Sequence, residues 1–268
     1  MEHLFLVNPA AGKEDATPAV KQLSALLSQS LGEPCQVQIS RRPGELTQLA
    51  RAAGETGRPI RLYACGGDGT LNEVVTGAVD YENLSVTCLP MGSGNDFIKQ
   101  FPNPAAFSEP AAYCNVTEKR LDLMEVCGSL AVNVCSVGFD ARIGTQIDRY
   151  RRIPLLSGPR AYWVSVLVNL VRGVVKPCRV ELPGYPPADE KMTLACVCNG
   201  SWYGGSFHPV PEADSSDGLL DVLLVKRVSR LTVARVIAAY QKGRYADYPE
   251  LIAHYRVPSL RILTPEPE

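Results

Sequence analysis

Residues Gly66, Gly67, Asp68 and Gly69 set one carboxylate among three glycines, directly after the apolar run Leu62–Cys65. Glycine loses the most backbone entropy on ordering, so such a stretch is unfavourable unless bare backbone has a use. One use is a phosphate: free N–H groups at a helix N-terminus and the helix dipole both favour an anion. Asp68 would repel that anion unless a cation such as Mg²⁺ intervened, or it would hydrogen-bond a ligand. A plain strand-to-helix turn with an Asx-type bond is the alternative. After the glycines, Leu71, Val74, Val75 and Ala78 recur at helical spacing, and Thr70 and Glu73 have the spacing of a capping box. This pattern predicts a helix starting at Thr70.

Two further stretches have the same build. "CLPMGSGNDF", residues 88–97, runs from an apolar strand through Gly92, Ser93 and Gly94 to Asn95 and Asp96. "LVNPAAGK" runs from a strand through Asn8 and Pro9 to Gly12 and Lys13. Neither the P-loop pattern nor the dinucleotide G-x-G-x-x-G occurs in these loops.

The elements that must position the loops can be read around them. Apolar strand patterns at "HLFLV", "CQVQIS", "PIRLYAC" and "LSVTCLP" alternate with helical patterns at "AVKQLSALLSQSL", "GELTQLARAAGE" and "TLNEVVTGAV", and "GNDFIKQF" reads as the start of another helix. Such alternation predicts a parallel sheet covered by helices, with the Gly-bearing loops together at the carboxyl ends of its strands. Beyond Arg120 the texture becomes strand-rich. "LDLMEVCGSLAVNVCSVGFDA" reads as a hairpin about Gly128 and Ser129, and "CRVELPG", "KMTLACVCNG", "GLLDVLLVK" and "PSLRIL" as strands. "RLTVARVIAAYQKG" reads as a helix capped by Ser229. We therefore expect an α/β domain over residues 1–122, Rossmann-like in its parallel sheet, and a mainly-β domain over residues 123–268.

Composition narrows the partners. The net charge of −1 gives no basic field for nucleic acid. The longest apolar stretch, Ala161–Val175, contains Asn169 and Arg172 and falls short of the ~20 residues a spanning helix needs. Any membrane contact is then peripheral. Nine cysteines, mostly within apolar runs, and no basic leader at the N-terminus predict buried thiols in the reducing cytoplasm. The three histidines are too scattered to suggest a metal site.

Together "NPAAGK", "GGDGTLNEVVTGA", "GSGNDF", "NVCSVGFDA" and "NGSWYGGSFHPVPEADSSDGLLDV" resemble the diacylglycerol kinase catalytic-domain family, which includes bacterial lipid kinases and sphingosine kinases. The resemblance runs from residue 4 to about residue 265. It implies an NAD-kinase-like first domain that binds ATP and a sandwich-like second domain that presents a lipid. It implies transfer of the γ-phosphoryl group to a lipid hydroxyl. By the same resemblance Asn8, Gly12, Lys13, Ser40, Gly66, Gly67, Gly69, Thr70, Ser93 and Asn95 contact the nucleotide. Asp68 and Asp96 position it with catalytic Mg²⁺. Ser93 stands where Thr is commoner, and Lys99 where Arg is frequent.

In "ADSSDGLLD" the oxygen-rich pair Asp214 and Asp217 suits Mg²⁺ or Ca²⁺, or forms a solvated hairpin turn. The resemblance implies a structural Mg²⁺ held by Asp214, Asp217 and the Leu219 carbonyl.

The family's D-G-E tripeptide, whose Glu serves as general base, does not occur in the sequence, and we expect the second domain to lack its C-terminal end here. An NAD-kinase-like phosphotransferase and a catalytically inactive nucleotide- or lipid-binding regulator are the alternatives. The sequence leaves a homodimer open. Trp163, Val166, Leu167 and Leu170 form either a core stripe or a lipid-pocket wall. Arg149, Arg151, Arg152 and Arg160 meet either anionic head groups or solvent.

Overall fold

The computed structural model describes residues 1–139, 141, 164–165, 168–169 and 175–264. The chain forms two compact units, Met1–Val132 and Asn133–Glu268. The apolar stripe at Trp163, Val166, Leu167 and Leu170 and the arginines at 149, 151, 152 and 160 lie outside the described residues.

In the first unit, β1 (Glu2–Val7), β2 (Cys35–Ile39), β3 (Ile60–Gly66) and β4 (Leu84–Pro90) form a parallel sheet in the order β2-β1-β3-β4. The two central strands, β1 and β3, are nearly continuous apolar runs because both faces are covered. Successive side chains alternate between those faces. Leu4, Leu6, Leu62 and Ala64 pack with Leu46 and Ala50 of α2 (Glu45–Glu55) and with Leu71 and Val74 of α3 (Asp68–Ala78). Phe5, Val7, Tyr63 and Cys65 meet Val20 and Leu27 of α1 (Thr17–Leu31) on the other face. Phe5 stacks on Tyr63 at 4.2 Å between ring centres.

The first unit ends in a short hairpin, β5 (Met124–Val126) and β6 (Ser129–Ala131). Cys127 and Gly128 both have positive φ, 51° and 78°, as a tight hairpin turn requires. The turn therefore falls one residue earlier than Gly128–Ser129, and the second apolar run does not continue the hairpin. It leaves as β7 (Val134–Gly138) to pair with a strand of the second unit. Asn72 of α3 fastens the hairpin: its Nδ2 donates to the Leu130 carbonyl at 3.0 Å, and its Oδ1 accepts from Val132 N–H at 3.2 Å. The hairpin thus packs with the first unit, and the units divide after it.

The described strands of the second unit are antiparallel: β7, β8 (Lys176–Glu181), β9 (Ala188–Cys198), β10 (Leu220–Lys226), β11 (Ile252–Val257) and β12 (Arg261–Leu263). The order is β11-β10-β9-β8-β12, and the long β9 also pairs its second half with β7. α4 (Arg230–Tyr240) begins where expected, with Ser229 Oγ accepting from Thr232 N–H at 3.1 Å. Its buried Val236 and Tyr240 pack with Leu194, Phe207 and Leu223. Cys196 and Cys198 share one buried face of β9 with sulfurs 3.6 Å apart, and none of the nine cysteines is in a disulfide.

The strand β11 was not legible as one, because His254, Tyr255 and Arg256 break its apolar pattern. The helix expected from "GNDFIKQF" is only a 3₁₀ turn, Phe97–Gln100. Pro102 lies two residues beyond it and removes the N–H that would extend an α-helix.

Candidate nucleotide and metal site

The loops after β1, β3 and β4 meet at the carboxyl ends of their strands. α3 starts at Asp68, two residues earlier than expected, with the extended Gly67 before it. Thr70 is therefore inside the first turn and does not cap the helix. It is buried, and its Oγ accepts from Asn8 Nδ2 at 3.1 Å. Glu73 also leaves the expected capping box. Its carboxylate accepts from Gly44 N–H at 3.1 Å, at the start of α2. Helix α3 is thus tied to the β1 loop through Thr70 and to α2 through Glu73.

Asn8 is fixed at three points. Its N–H donates to the Cys65 carbonyl at 3.1 Å, its Oδ1 accepts from Ala10 N–H at 3.1 Å, and its Nδ2 holds Thr70. Ser40, buried just beyond β2, donates its N–H to the Val7 carbonyl at 2.9 Å. Gly12 lies against the β4 loop, where a methyl group on it would be 2.4 Å from the Met91 carbonyl oxygen. Lys13 follows on the exposed part of the same loop.

The β3 and β4 loops touch backbone to backbone. Met91 N–H donates to the Gly66 carbonyl at 2.8 Å. A methyl group on Gly92 would lie 2.4 Å from the Gly67 α-carbon, closer than two such carbons can pack. Ser93 is exposed at the tip of the turn. Asn95 has φ 49°, in the left-handed region. Its side-chain amide closes the turn, accepting from Gly92 N–H at 3.0 Å and donating to the Gly92 carbonyl at 2.9 Å. That turn delivers Asp96 and Phe97 to Asp68.

The two aspartates converge. Asp68 Oδ1 accepts from Phe97 N–H at 2.9 Å, and Asp96 Oδ1 pairs with Lys99 Nζ at 2.6 Å. A methyl group on Gly94 would be 3.1 Å from Asp68 Oδ2 and 3.3 Å from Asp96 Oδ2. Glycine thus keeps open a space flanked by one oxygen of each carboxylate. Asp96 is only 5 % exposed. Beneath the loop, burial pushes the Cys88 thiol up to about 12, and the Asp68 charge adds to the rise.

Hard oxygen donors at the edge of a cradle fit Mg²⁺, which takes one or two carboxylates and completes its shell with water and substrate phosphates. Among the described residues no cluster of three or more His, Cys, Asp or Glu gathers, so phosphate oxygens would have to supply part of the shell. The N–H groups opening α3 lie beside the same pair.

Residues 2–126 match the model of the diacylglycerol kinase catalytic domain, and residues 133–266 match the YegS C-terminal NAD kinase beta sandwich-like domain. A protein named "Probable lipid kinase YegS-like" from Chromohalobacter salexigens is 30% identical over 228 residues, covering 82% of this chain and 70% of its own. The chain belongs to the diacylglycerol kinase catalytic-domain family. A diacylglycerol kinase from Mycobacterium tuberculosis is 29% identical over 256 residues, 92% of this chain and 80% of that protein. A crystal structure of a diacylglycerol kinase from Bacillus anthracis shares the fold with a TM-score of 0.68 at 20% identity, covering 99% of this chain and 86% of that one. The chain thus has the family's parallel α/β domain followed by its sandwich-like β domain.

The family's second-domain loop has its own arrangement here. Asp214 Oδ1 accepts from Ser216 N–H at 3.0 Å and from Ser216 Oγ at 2.6 Å. Asp217 Oδ1 accepts from Leu219 N–H at 2.9 Å, and its Oδ2 is paired with the Arg256 guanidinium. Both Asp217 oxygens are thus engaged, one by the backbone of its own loop and one by Arg256.

A second feature of this domain is an apolar cavity of about 60 Å³ under α4. Its walls include Leu194, Phe207, Val225, Val233, Ile237 and Leu251. The hydroxyls of Tyr203 and Tyr240 stand 3.4 Å apart at one side. Sequence reading missed this cavity because its lining comes from β9, β10, α4 and the loops, no one of which carries a distinctive pattern.

Among the described residues no helix is long and apolar enough to cross a membrane.

Proposed function

We propose that this chain is an ATP-dependent lipid kinase that moves the γ-phosphoryl group to a lipid hydroxyl. The convergence of Asp68 and Asp96 on the space beside Gly94, next to the N-terminus of α3, carries the reading. The N–H groups at the start of α3 and the open backbone at Gly69 receive the phosphates. Asn8 and Thr70 hold the first loop against the helix, and Asn95 sets the direction of Asp96. Mg²⁺ held by Asp68 and Asp96 would offset charge on the phosphate oxygens. Lys99 holds Asp96 in place from its other side.

The acceptor is a lipid alcohol, and its acyl chain enters the cavity under α4. The walls of the cavity bear no charged side chain, which suits an acyl chain. The enzyme works at the membrane surface, from the cytoplasmic side.

Two measurements test this reading. Labelled ATP offered with diacylglycerol, other lipid alcohols, NAD and sugar phosphates is expected to label a lipid alone. Labelled NAD or sugar would overturn the assignment, and ATP bound without turnover would favour a regulatory protein. Ile237→Trp, which fills the cavity from α4, is expected to raise the KM for lipid by about tenfold, the effect of losing roughly 1.4 kcal/mol of apolar contact. The KM for ATP stays unchanged. Equal shifts in both would remove the acyl chain from that cavity.

A further inference from the structure

Asp221 on β10 is 1 % exposed, and Arg256 on β11 is its direct partner in the strand register. A carboxylate this deep is costly unless it is paired. His254 Nε2 lies 2.7 Å from Asp221 Oδ1, and Arg256 Nε lies 3.6 Å from the same oxygen. The other arm of the guanidinium, Nη2, donates to Asp217 Oδ2. One planar cation therefore joins two carboxylates, one on the strand and one on the loop that precedes it. Further contacts close the same region. Tyr245 donates its hydroxyl proton to Glu212 and meets His254 Nδ1 at 3.0 Å, while Asp214 closes its own turn onto Ser216.

A divalent cation at such a loop does two things: it gathers oxygens from separate segments, and it neutralises them. The Arg256 fork does both, with fixed geometry and a charge that no accessible pH removes. We propose that the Arg256 guanidinium occupies the place of a divalent cation in the Asp214–Leu219 loop, so that this loop is closed to metal, and that removing the guanidinium opens it. This inference stands apart from the phosphotransfer reading, since it concerns only how β10, β11 and the loop are held together.

The three histidines of the chain make the test local. Paramagnetic Mn²⁺ is titrated into the full chain while the imidazole proton resonances are followed by NMR. His254 sits three contacts from Asp217, through Asp221 and Arg256, whereas His3 in β1 serves as the reference. In the wild type His254 is expected to stay as sharp as His3. In Arg256→Met it is expected to broaden selectively at substoichiometric Mn²⁺. Mg²⁺ is expected to recover most of the melting temperature that the variant loses and to leave the wild type unchanged. Arg256→Gln keeps a planar amide without the charge and carries the same test should the methionine variant fail to fold. Selective broadening of His254 in the wild type would show that the loop holds a cation beside Arg256 and would overturn the proposal. Sharp resonances in both wild type and variant would also overturn it, because the guanidinium would then replace nothing.

Discussion

Asp96→Asn is expected to cut turnover at saturating ATP and lipid by about 10³-fold, the cost of deleting one preorganised charge at a reacting phosphate. The amide has the shape of the carboxylate but carries no charge, so the cradle beside Gly94 keeps its outline and loses half of its negative field. Lys99 loses its anionic partner, yet it is a quarter exposed and can be solvated. Thermal unfolding should therefore shift by no more than about 1 kcal/mol, the scale of a partly exposed ion pair. The Mg²⁺ concentration for half-maximal turnover, measured in whatever activity remains, should rise. Wild-type turnover in this variant would rule out phosphoryl transfer at Asp68 and Asp96.

The second large effect separates two glycines of the strand-end loops. Gly92→Ala puts a methyl group 2.4 Å from the Gly67 α-carbon, with Asn95 Oδ1 2.9 Å away. Neither loop can yield without breaking the Met91 N–H to Gly66 carbonyl bond. Such overpacking costs about 1–3 kcal/mol, or a melting temperature lower by about 3–9 °C. Gly69→Ala has the opposite sign. Nothing lies within 4 Å of that methyl position outside the helix backbone, and Gly69 is within the first turn of α3. Alanine in a helix is favoured by up to about 1 kcal/mol, so melting should stay level or rise. If phosphates approach the backbone here, the same variant binds ATP more weakly while being at least as stable. Calorimetric titration of both variants distinguishes a glycine required by the fold from one required by a ligand. Full ATP affinity in Gly69→Ala would remove the phosphate from that turn.

Much of the first unit was legible because both faces of its sheet are covered. Continuous apolar runs at Leu4–Val7 and Leu62–Cys65 leave few other folds. The meeting of the three Gly-bearing loops followed from the parallel order alone. What escaped notice depended on pairs remote in sequence. Thr70 and Glu73 have the spacing of a local cap, but Asn8 and Gly44, 62 and 29 residues away, take their side chains instead. A local motif describes what neighbours can do, and tertiary partners decide what they do. The same holds for β11, where His254 and Arg256 look like loop residues until Asp221 stands opposite. The convergence of Asp68 and Asp96 was inferred from family resemblance. Its geometric cause, an Asn95 in left-handed conformation clasping Gly92, had no readable signature beyond the asparagine itself.

The strand-end loops are joined by main-chain and short side-chain bonds: Met91 to Gly66, Phe97 to Asp68, Asn8 to Thr70 and Asn95 to Gly92. None of these bonds involves a long, freely rotating chain. The conformational entropy of the loops is therefore surrendered when the domain folds, and little is left to lose when a ligand arrives. On the proposed reading, a site assembled in this way would meet a nucleotide as a rigid mould, and a mutation that loosens one loop would lower affinity through disorder in all of them.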